Sequence, residues 1–180
     1  LLLRTKKNPK LILICPFKRC VKTIWDAKNW ADLMNKIAKD NPDFKFVITG
    51  TKNDKESAND ILNATDVKVK VKNLAGKIKS SKLAEVISSS QYVISSETST
   101  VHIAAMTETK ALCISNGNFY KRFQPIPSVN VTYVYTDDFD AEKESLDGEN
   151  LNKYYYTTPY KTEDLSVEKV YKAFKKMTTI

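Results

Sequence analysis

The stretch Tyr92-Val93-Ile94-Ser95-Ser96-Glu97-Thr98-Ser99-Thr100-Val101-His102 decides how this chain folds. Its apolar beginning predicts a buried strand, and the segment from Ser99 to Met106 predicts a helix that follows at once. Open α/β sheets bind ligands where the carboxyl end of a strand meets the amino end of a helix. Free N–H groups at such a helix end suit a phosphate. The stretch therefore predicts an anionic, nucleotide-like ligand at one edge of a sheet.

The rest of the chain alternates strand patterns with helix patterns. Short apolar or alternating runs predict strands at 11–15, 44–49, 67–71, 92–95, 111–115 and 129–135. Apolar residues at helical spacing predict helices at 30–38, 54–63, 80–87, 99–106 and 166–174. We expect Ser80 or Ser81 to cap the third helix and Ser166 to cap the last. The alternation predicts a three-layer α/β/α, Rossmann-like domain with a mostly parallel sheet.

The boundaries of this domain follow from the same patterns. Residues 1–10 are expected to be a linker remnant, and 11–180 the domain itself. Residues 136–165 are polar, acidic and without a period, which predicts a long loop with at most one short element. The chain lacks an initiating Met, so we expect it to begin inside a longer protein.

Bulk properties exclude several classes of protein. The net charge is +8 and the predicted pI is about 9.2, which suits anionic ligands, although the lysines are scattered along nearly every segment. The three cysteines have no zinc or disulfide spacing, which predicts a reducing, cytoplasmic setting. No apolar run is long enough for a membrane span. Dinucleotide-fold and P-loop glycine motifs are absent from the sequence.

Polar residues that can carry chemistry follow the predicted strands, and so fall on one edge of the sheet. Lys18, Arg19 and Lys22 follow the first strand and can neutralise a diphosphate; the alternative is a flexible basic loop. Asp54 follows the second strand and either accepts hydrogen bonds from ribose or caps the next helix. His102 either donates to a phosphate or packs the start of its helix.

Two further observations bear on the chemistry of this edge: one adds a candidate residue and the other excludes two kinds of site. Arg122 follows the fifth strand in an aromatic segment, where it either reaches a phosphate or belongs to a packed loop. The sequence has one histidine and no Ser-His-Asp or Cys-His set, so a protein-bound metal and a nucleophilic triad are both disfavoured.

In combination these motifs resemble glycosyltransferase family 9, the ADP-heptose:lipopolysaccharide heptosyltransferase-like enzymes. The similarity covers residues 11–127 and rests on the order and spacing of five segments. These are Lys22 to Trp25, Gly50 to Glu56, Asn73 to Ser80, Glu97 to Ala105, and Asn116 to Pro127. Glu97 replaces the family's aspartate, Ser99 replaces a glycine, and Ile78 stands where a hydroxyl is common.

The resemblance implies a particular architecture and reaction. The chain looks like the carboxyl-terminal, donor-binding half of a two-domain GT-B glycosyltransferase, with the general base and acceptor site in the absent domain. The whole enzyme would transfer heptose from ADP-heptose to a lipopolysaccharide or other surface glycan, with inversion and without a metal or cofactor. The isolated chain is then expected to be inactive.

The resemblance also implies roles for individual residues. Residues at the start of the fourth helix and nearby cations would hold the leaving diphosphate. The residues of the helix start are Thr98, Ser99, Thr100 and His102, and the cations are Lys18, Lys22 and Arg122. Asp54 or Glu56 would contact the ribose, and Ile78 the base. A carboxylate beside a diphosphate would repel it, so Glu97 is expected to accept hydrogen bonds from sugar or ribose hydroxyls, or from backbone N–H groups.

Two other readings stay open from the sequence. A basic nucleic-acid-binding module would gather its lysines on one face, although we expect no nucleic-acid partner. A non-catalytic α/β interaction domain would have lost its ligand through the Glu97 and Ser99 changes. For the enzyme, the resemblance implies a cytoplasmic location with peripheral contact at the inner membrane face.

Overall fold

A computed structural model describes residues 6–17, 25–123, 125–149 and 159–178. Its strands are β1 (Asn8–Cys15), β2 (Lys45–Ile48), β3 (Lys70–Asn73), β4 (Ser90–Ser96), β5 (Lys110–Ile114) and β6 (Val131–Val134). Its helices are α1 (Ala27–Asp40), α2 (Lys55–Ala64), α3 (Leu83–Ser89), α4 (Ser99–Met106), α5 (Asp137–Glu142) and α6 (Val167–Thr178). Helix α5 and a short 3-10 helix at Thr162–Asp164 both lie in the long polar segment, where one short element was expected. Among the described residues no helix is long and apolar enough to cross a bilayer.

All six strands are parallel, in the order β3-β2-β1-β4-β5-β6. At the centre Ile14 of β1 lies opposite Ile48 of β2 and Ile94 of β4. The order reverses between β1 and β4, because the chain builds one half of the sheet outward to β3 and then returns to start the other half. Such a reversal opens a crevice at the carboxyl ends of the two central strands. The α/β class and the parallel sheet are confirmed.

Helices cover both faces of the sheet. Ile12 and Ile14 point into a core shared with α1, α2 and α6. Leu13 and Cys15 point to the opposite face, where Ile87 of α3 and Ala104 of α4 cover them. Because side chains alternate along a strand, a run of continuous apolar residues is what two buried faces require.

The structure corrects some local predictions. Strand β1 begins at Asn8, three residues before the predicted Leu11 and inside the segment expected to be linker. The predicted cap at Ser80 or Ser81 is wrong, because Ser80–Lys82 form a 3-10 turn and α3 begins without a side-chain cap. The cap at Ser166 is confirmed, since its hydroxyl accepts the Lys169 N–H at 3.2 Å.

Trp25 ties the segment before α1 to the segment before α6. It is 1% exposed, and its indole N–H donates to the Leu165 carbonyl at 2.8 Å across 140 residues of sequence. Its ring meets Trp30 edge to face at 5.1 Å between centroids. Trp30 is equally buried, but its indole N–H has no hydrogen-bond partner among the described residues.

These two tryptophans make a matched pair for a stability measurement. Trp25→Phe and Trp30→Phe remove similar buried volume, but only the first breaks a hydrogen bond and leaves a buried carbonyl without its donor. We expect Trp25→Phe to lower the free energy of unfolding by about 1–2 kcal/mol more than Trp30→Phe does. Urea denaturation of both variants measures this difference, and equal losses would show that the Leu165 contact contributes nothing.

Candidate functional site

The crevice between β1 and β4 is closed at its base by hydroxyl groups. The Ser96 hydroxyl donates to the carbonyl of Pro16 at 2.7 Å, just beyond the end of β1. The Ser95 hydroxyl donates to the Ser96 carbonyl at 2.7 Å and approaches the Cys15 carbonyl at 3.4 Å. Both serines are buried. Their hydroxyls donate hydrogen bonds to backbone carbonyls where the two strands end, so both serines form part of the floor of the crevice.

Helix α4 begins directly above this floor. The Thr98 hydroxyl accepts the Thr100 N–H at 3.3 Å and caps the helix, and it lies 3.3 Å from the Ser95 hydroxyl. Ser99 is the first residue of the helix and His102 lies on the same first turn; both side chains are exposed. Ser99 has a helical backbone, so the position occupied by glycine in the family motif needs no glycine here.

The Thr100 side chain is directed mainly at the core. The residue is 6% exposed, and its hydroxyl hydrogen bonds to the buried sulfur of Cys15 at the end of β1. A contact between Thr100 and a bound ligand stays a prediction. Burial raises the pKa of the Cys15 thiol to about 12, which keeps the thiol protonated and unreactive at neutral pH.

Glu97 is the buried carboxylate of the site. It is 4% exposed, and the Ser115 hydroxyl at the end of β5 donates to its Oε1 at 2.5 Å. The same hydroxyl accepts the Gly117 N–H at 3.0 Å, so Ser115 links the carboxylate to the turn after β5. Burial, with the charge of Glu97 in addition, raises the pKa of Tyr133 to about 12 and that of Tyr135 further.

The turn after β5 belongs to the family-like segment Asn116 to Pro127, and it contains buried polar groups that were not predicted as site residues. Asn118 is 3% exposed, and neither its amide nitrogen nor its amide oxygen has a partner within the described ranges. The Tyr135 hydroxyl just beyond β6 is also buried without a hydrogen-bond partner in the described ranges. Gly117 has φ +80°, and a Cβ there would lie 2.2 Å from the Phe139 ring. The Asn-Gly-Asn sequence after an apolar strand was the available signal for this turn.

The turn after β2 is held by Asp54. Its Oδ2 accepts the Thr51 N–H at 2.6 Å and the Thr51 hydroxyl at 2.7 Å. Gly76, with φ +75°, packs on the same turn, where a Cβ would lie 2.8 Å from the Lys52 Cα. One Asp54 oxygen thus shapes the turn before α2, but the Asp54 side chain makes no capping hydrogen bond to α2 itself, so the capping alternative is wrong. Glu56 beside it is exposed on the first turn of α2.

The remaining predicted site residues lie as follows. Ile78 is half-buried in the segment after β3. Arg122 is exposed in the turn after β5, where its N–H donates to the Phe119 carbonyl at 3.1 Å. Lys18 and Lys22 lie outside the described residues. Across the described ranges, no three His, Cys, Asp or Glu side chains form a group that could hold a metal ion.

The chain matches the model of glycosyltransferase family 9 (heptosyltransferase) over residues 3–154. This match covers most of the 180 residues, and the chain therefore belongs to glycosyltransferase family 9. Among curated protein sequences, none matches significantly.

Solved structures show the same fold at low sequence identity. E. coli ADP-heptose lps heptosyltransferase II matches with a TM-score of 0.70 and 18% identity over 94% of this chain. The family 9 glycosyl transferase from Veillonella parvula matches with a TM-score of 0.70 and 16% identity over 93%. E. coli heptosyltransferase WaaC with ADP-2-deoxy-2-fluoro heptose matches with a TM-score of 0.64 and 13% identity over 93%.

The match covers only part of each neighbour. This chain corresponds to 46% of heptosyltransferase II, 45% of the Veillonella protein and 43% of WaaC. The chain thus spans about half the length of these proteins.

The buried thiol below α4 predicts a pH dependence of stability. Folded Cys15 keeps its proton up to about pH 12, whereas an unfolded thiol loses it above about 9. The stability from this group is therefore complete below pH 9 and is lost as the pH rises from 9 towards 12. We expect the unfolding free energy of wild type relative to Cys15→Ala to fall by about 1 kcal/mol between pH 8 and pH 10. Denaturant titrations at both pH values measure it, and a constant difference would contradict the burial of the thiol.

Proposed function

We propose that this chain is the donor-binding half of a two-domain GT-B glycosyltransferase that binds a nucleoside diphosphate-sugar. The observation that carries the proposal is the exposed amino end of α4 at the crevice between β1 and β4, in a chain of family 9. A helix start at this point of a parallel sheet is suited to a diphosphate.

The diphosphate would lie over the first turn of α4. The Ser99 hydroxyl and the His102 imidazole are exposed there, and the amino end of the helix contributes partial positive charge. Lys18, Lys22 and Arg122 are proposed to add cations. These groups favour the charge that grows on the diphosphate as the sugar leaves, so they stabilise the transition state more than the bound donor. Thr98 supports the site by capping the helix, and Thr100 by anchoring it to β1.

The nucleoside would extend along the edge toward β2 and β3. Glu56 is proposed to accept hydrogen bonds from the ribose hydroxyls, because its carboxylate is exposed. Asp54 would position that turn through Thr51. The half-buried Ile78 after β3 would pack against the base.

The transferred sugar would lie on the β4–β5 side of the crevice. Glu97 is proposed to accept hydrogen bonds from its hydroxyls, with Ser115 orienting the carboxylate through Oε1. Removal of a sugar hydroxyl would then be costly, since a buried polar group loses its partner.

The complete reaction requires groups that this chain does not supply. We propose that a second domain carries the acceptor site and the general base, and that transfer proceeds with inversion and without a metal. The proposed donor is ADP-heptose and the proposed acceptor a lipopolysaccharide or other surface glycan. Support comes from the family match and from the heptosyltransferase neighbours, one of which has ADP-2-deoxy-2-fluoro heptose bound. The proposed location is the cytoplasm, at the inner membrane face.

Calorimetry with ADP, UDP and GDP tests the donor site. We expect weak ADP binding by the chain, and roughly a 10-fold or greater loss of affinity in His102→Ala, because a hydrogen bond to a charged phosphate is removed. Met106→Ala is the matched control: it changes an exposed side chain at the other end of the same helix.

The possible results separate the parts of the proposal. Absence of heat with all three nucleotides would overturn donor binding and favour a non-catalytic interaction domain. Equal losses in His102→Ala and Met106→Ala would contradict the location of the diphosphate. Preference for UDP or GDP would leave donor binding intact but exclude ADP-heptose. Sugar transfer by the chain alone would contradict the need for a second domain.

A further inference from the structure

A row of three side chains crosses the sheet outward from the start of α4. The strand register places Glu97, Ser115 and Tyr135 side by side, one residue beyond the ends of β4, β5 and β6. The 2.5 Å hydrogen bond from Ser115 to Glu97 agrees with this alignment. At a strand spacing of roughly 4.8 Å, the row extends about 10 Å toward β6. It lies on the side of the crevice proposed for the transferred sugar.

Tyr135 is at the outer end of this row and faces the side of the sheet that α4 covers. Its ring stacks on the Tyr133 ring at 6.1 Å between centroids, and Val131 on the same strand face packs with Ala104 of α4. Tyr135 is 6% exposed, and its hydroxyl has no hydrogen-bond partner among the residues that the structure describes. The Tyr133 hydroxyl, by contrast, accepts the Ile126 N–H at 3.1 Å.

Asn118 is a second unpaired polar side chain, in the turn that packs on Tyr135. Gly117 before it lies so close to Phe139 that a Cβ would be 2.2 Å from the ring. Tyr120 after it meets the Tyr135 ring at 6.0 Å and the Phe139 ring at 5.3 Å between centroids. Asn118 is 3% exposed, and in the described part of the chain both its amide nitrogen and its amide oxygen lack partners. Two unpaired polar side chains thus belong to one packed unit.

These unpaired groups are a cost to the folded chain. A buried amide or hydroxyl has lost its hydration, and without a hydrogen bond nothing replaces it. An apolar side chain of similar shape would be more stable at either position. Native proteins leave few buried polar groups unpaired, and functional sites are where such local costs are found. The two positions therefore fit a site in which a ligand supplies the missing hydrogen bonds.

We propose that Asn118 and Tyr135 bind hydroxyl groups of the transferred sugar and so determine which sugar the site accepts. The amide and the phenol are uncharged, and each can both donate and accept. The hydroxyls of a neutral sugar match this combination, whereas a phosphate offers acceptors only. The Tyr120 and Phe139 rings add apolar surface for the C–H groups of the sugar ring. The inference rests on the proposed function, since it names residues that read the sugar of the same donor.

Burial keeps the Tyr135 hydroxyl ready to donate. It raises the pKa of Tyr135 above the ordinary range of a tyrosine, and the charges around Cys113 and Glu97 add to the effect. The phenol therefore keeps its proton at neutral pH and can donate it in a hydrogen bond to a sugar oxygen.

The turn that carries Asn118 has to move for a sugar to reach it, because the side chain is closed to solvent in the free chain. Lys121 in this turn has φ +57°, a left-handed conformation that is unfavourable for lysine. The Tyr120 hydroxyl donates to Glu144 at 3.3 Å, and the Lys121 ammonium donates to the Leu146 carbonyl at 3.1 Å. These side-chain contacts can break while the sheet stays intact, so the turn can open without unfolding of the domain.

Calorimetry with ADP and ADP-heptose tests the assignment in two variants, Asn118→Leu and Tyr135→Phe. Each removes hydrogen-bonding atoms with little change of shape. We expect the ratio of ADP-heptose affinity to ADP affinity to fall roughly tenfold in each variant, because a sugar hydroxyl loses its partner, while ADP binding stays as in wild type. If the chain prefers UDP or GDP, the pairs are UDP with UDP-glucose and GDP with GDP-mannose.

Urea denaturation of the same variants separates this role from a structural one. We expect Asn118→Leu and Tyr135→Phe to unfold at the same urea midpoint as wild type or at a higher one, because each removes an unpaired buried polar group. Tyr133→Phe is the matched control, since it removes a hydroxyl that accepts the Ile126 N–H. Its urea midpoint is expected to fall, whereas its affinity ratio is expected to stay as in wild type.

The results distinguish this inference from the proposed function. An unchanged affinity ratio in both variants, with nucleotide binding intact, would overturn the inference and leave the donor site standing. A lower urea midpoint in both variants, with an equal loss of ADP affinity, would assign the two side chains to the fold instead. An equal fall of the affinity ratio in Tyr133→Phe would remove the assignment to Tyr135. Failure of wild type to bind any of the nucleotides would overturn the proposed function, and the inference with it.

Discussion

The side-by-side pairing of β1 and β4 at the centre of the sheet is the constraint on which the rest of the structure depends. Ile14 and Ile94 are in register there, buried and covered by helices. Because β4 and the carboxyl-terminal half of β1 are buried, their backbone groups must pair with each other. The chain continues from β1 toward β2 and from β4 toward β5, on opposite sides of this pair. The crevice and the site above it are consequences of this pairing.

The polar groups around the crevice divide into supporting groups and exposed ones. The Ser95 and Ser96 hydroxyls reach carbonyls at the end of β1 and so join β4 to β1 below α4, and Thr100 of α4 is buried beside Cys15. Ser99 and His102 remain exposed on the same helix turn. This separation allows one short sequence to be both a rigid part of the core and a surface for a ligand.

Most of the architecture was predictable because its signals are local. Continuous apolar runs such as 11–15 and 111–115 predicted strands buried on both faces, and the start of α4 at Ser99 was confirmed. The prediction of a cap at Ser166 was also correct, because the signal for a cap is local as well. The cap at Ser80 or Ser81 was wrong, because a 3-10 turn takes up these residues before α3 begins. Residue type alone does not distinguish a cap from a turn.

The sequence by itself determined the class of fold and the edge of the sheet at which polar residues follow the strands, because both depend on residues that are neighbours in the chain. It also determined the family resemblance, because that depends on the order and spacing of motifs. The tertiary structure alone decided that Thr100 lies beside Cys15 and that Ser115 donates a hydrogen bond to Glu97. The physical reason is that these relations join residues far apart in sequence, and only the parallel order of the strands brings them together.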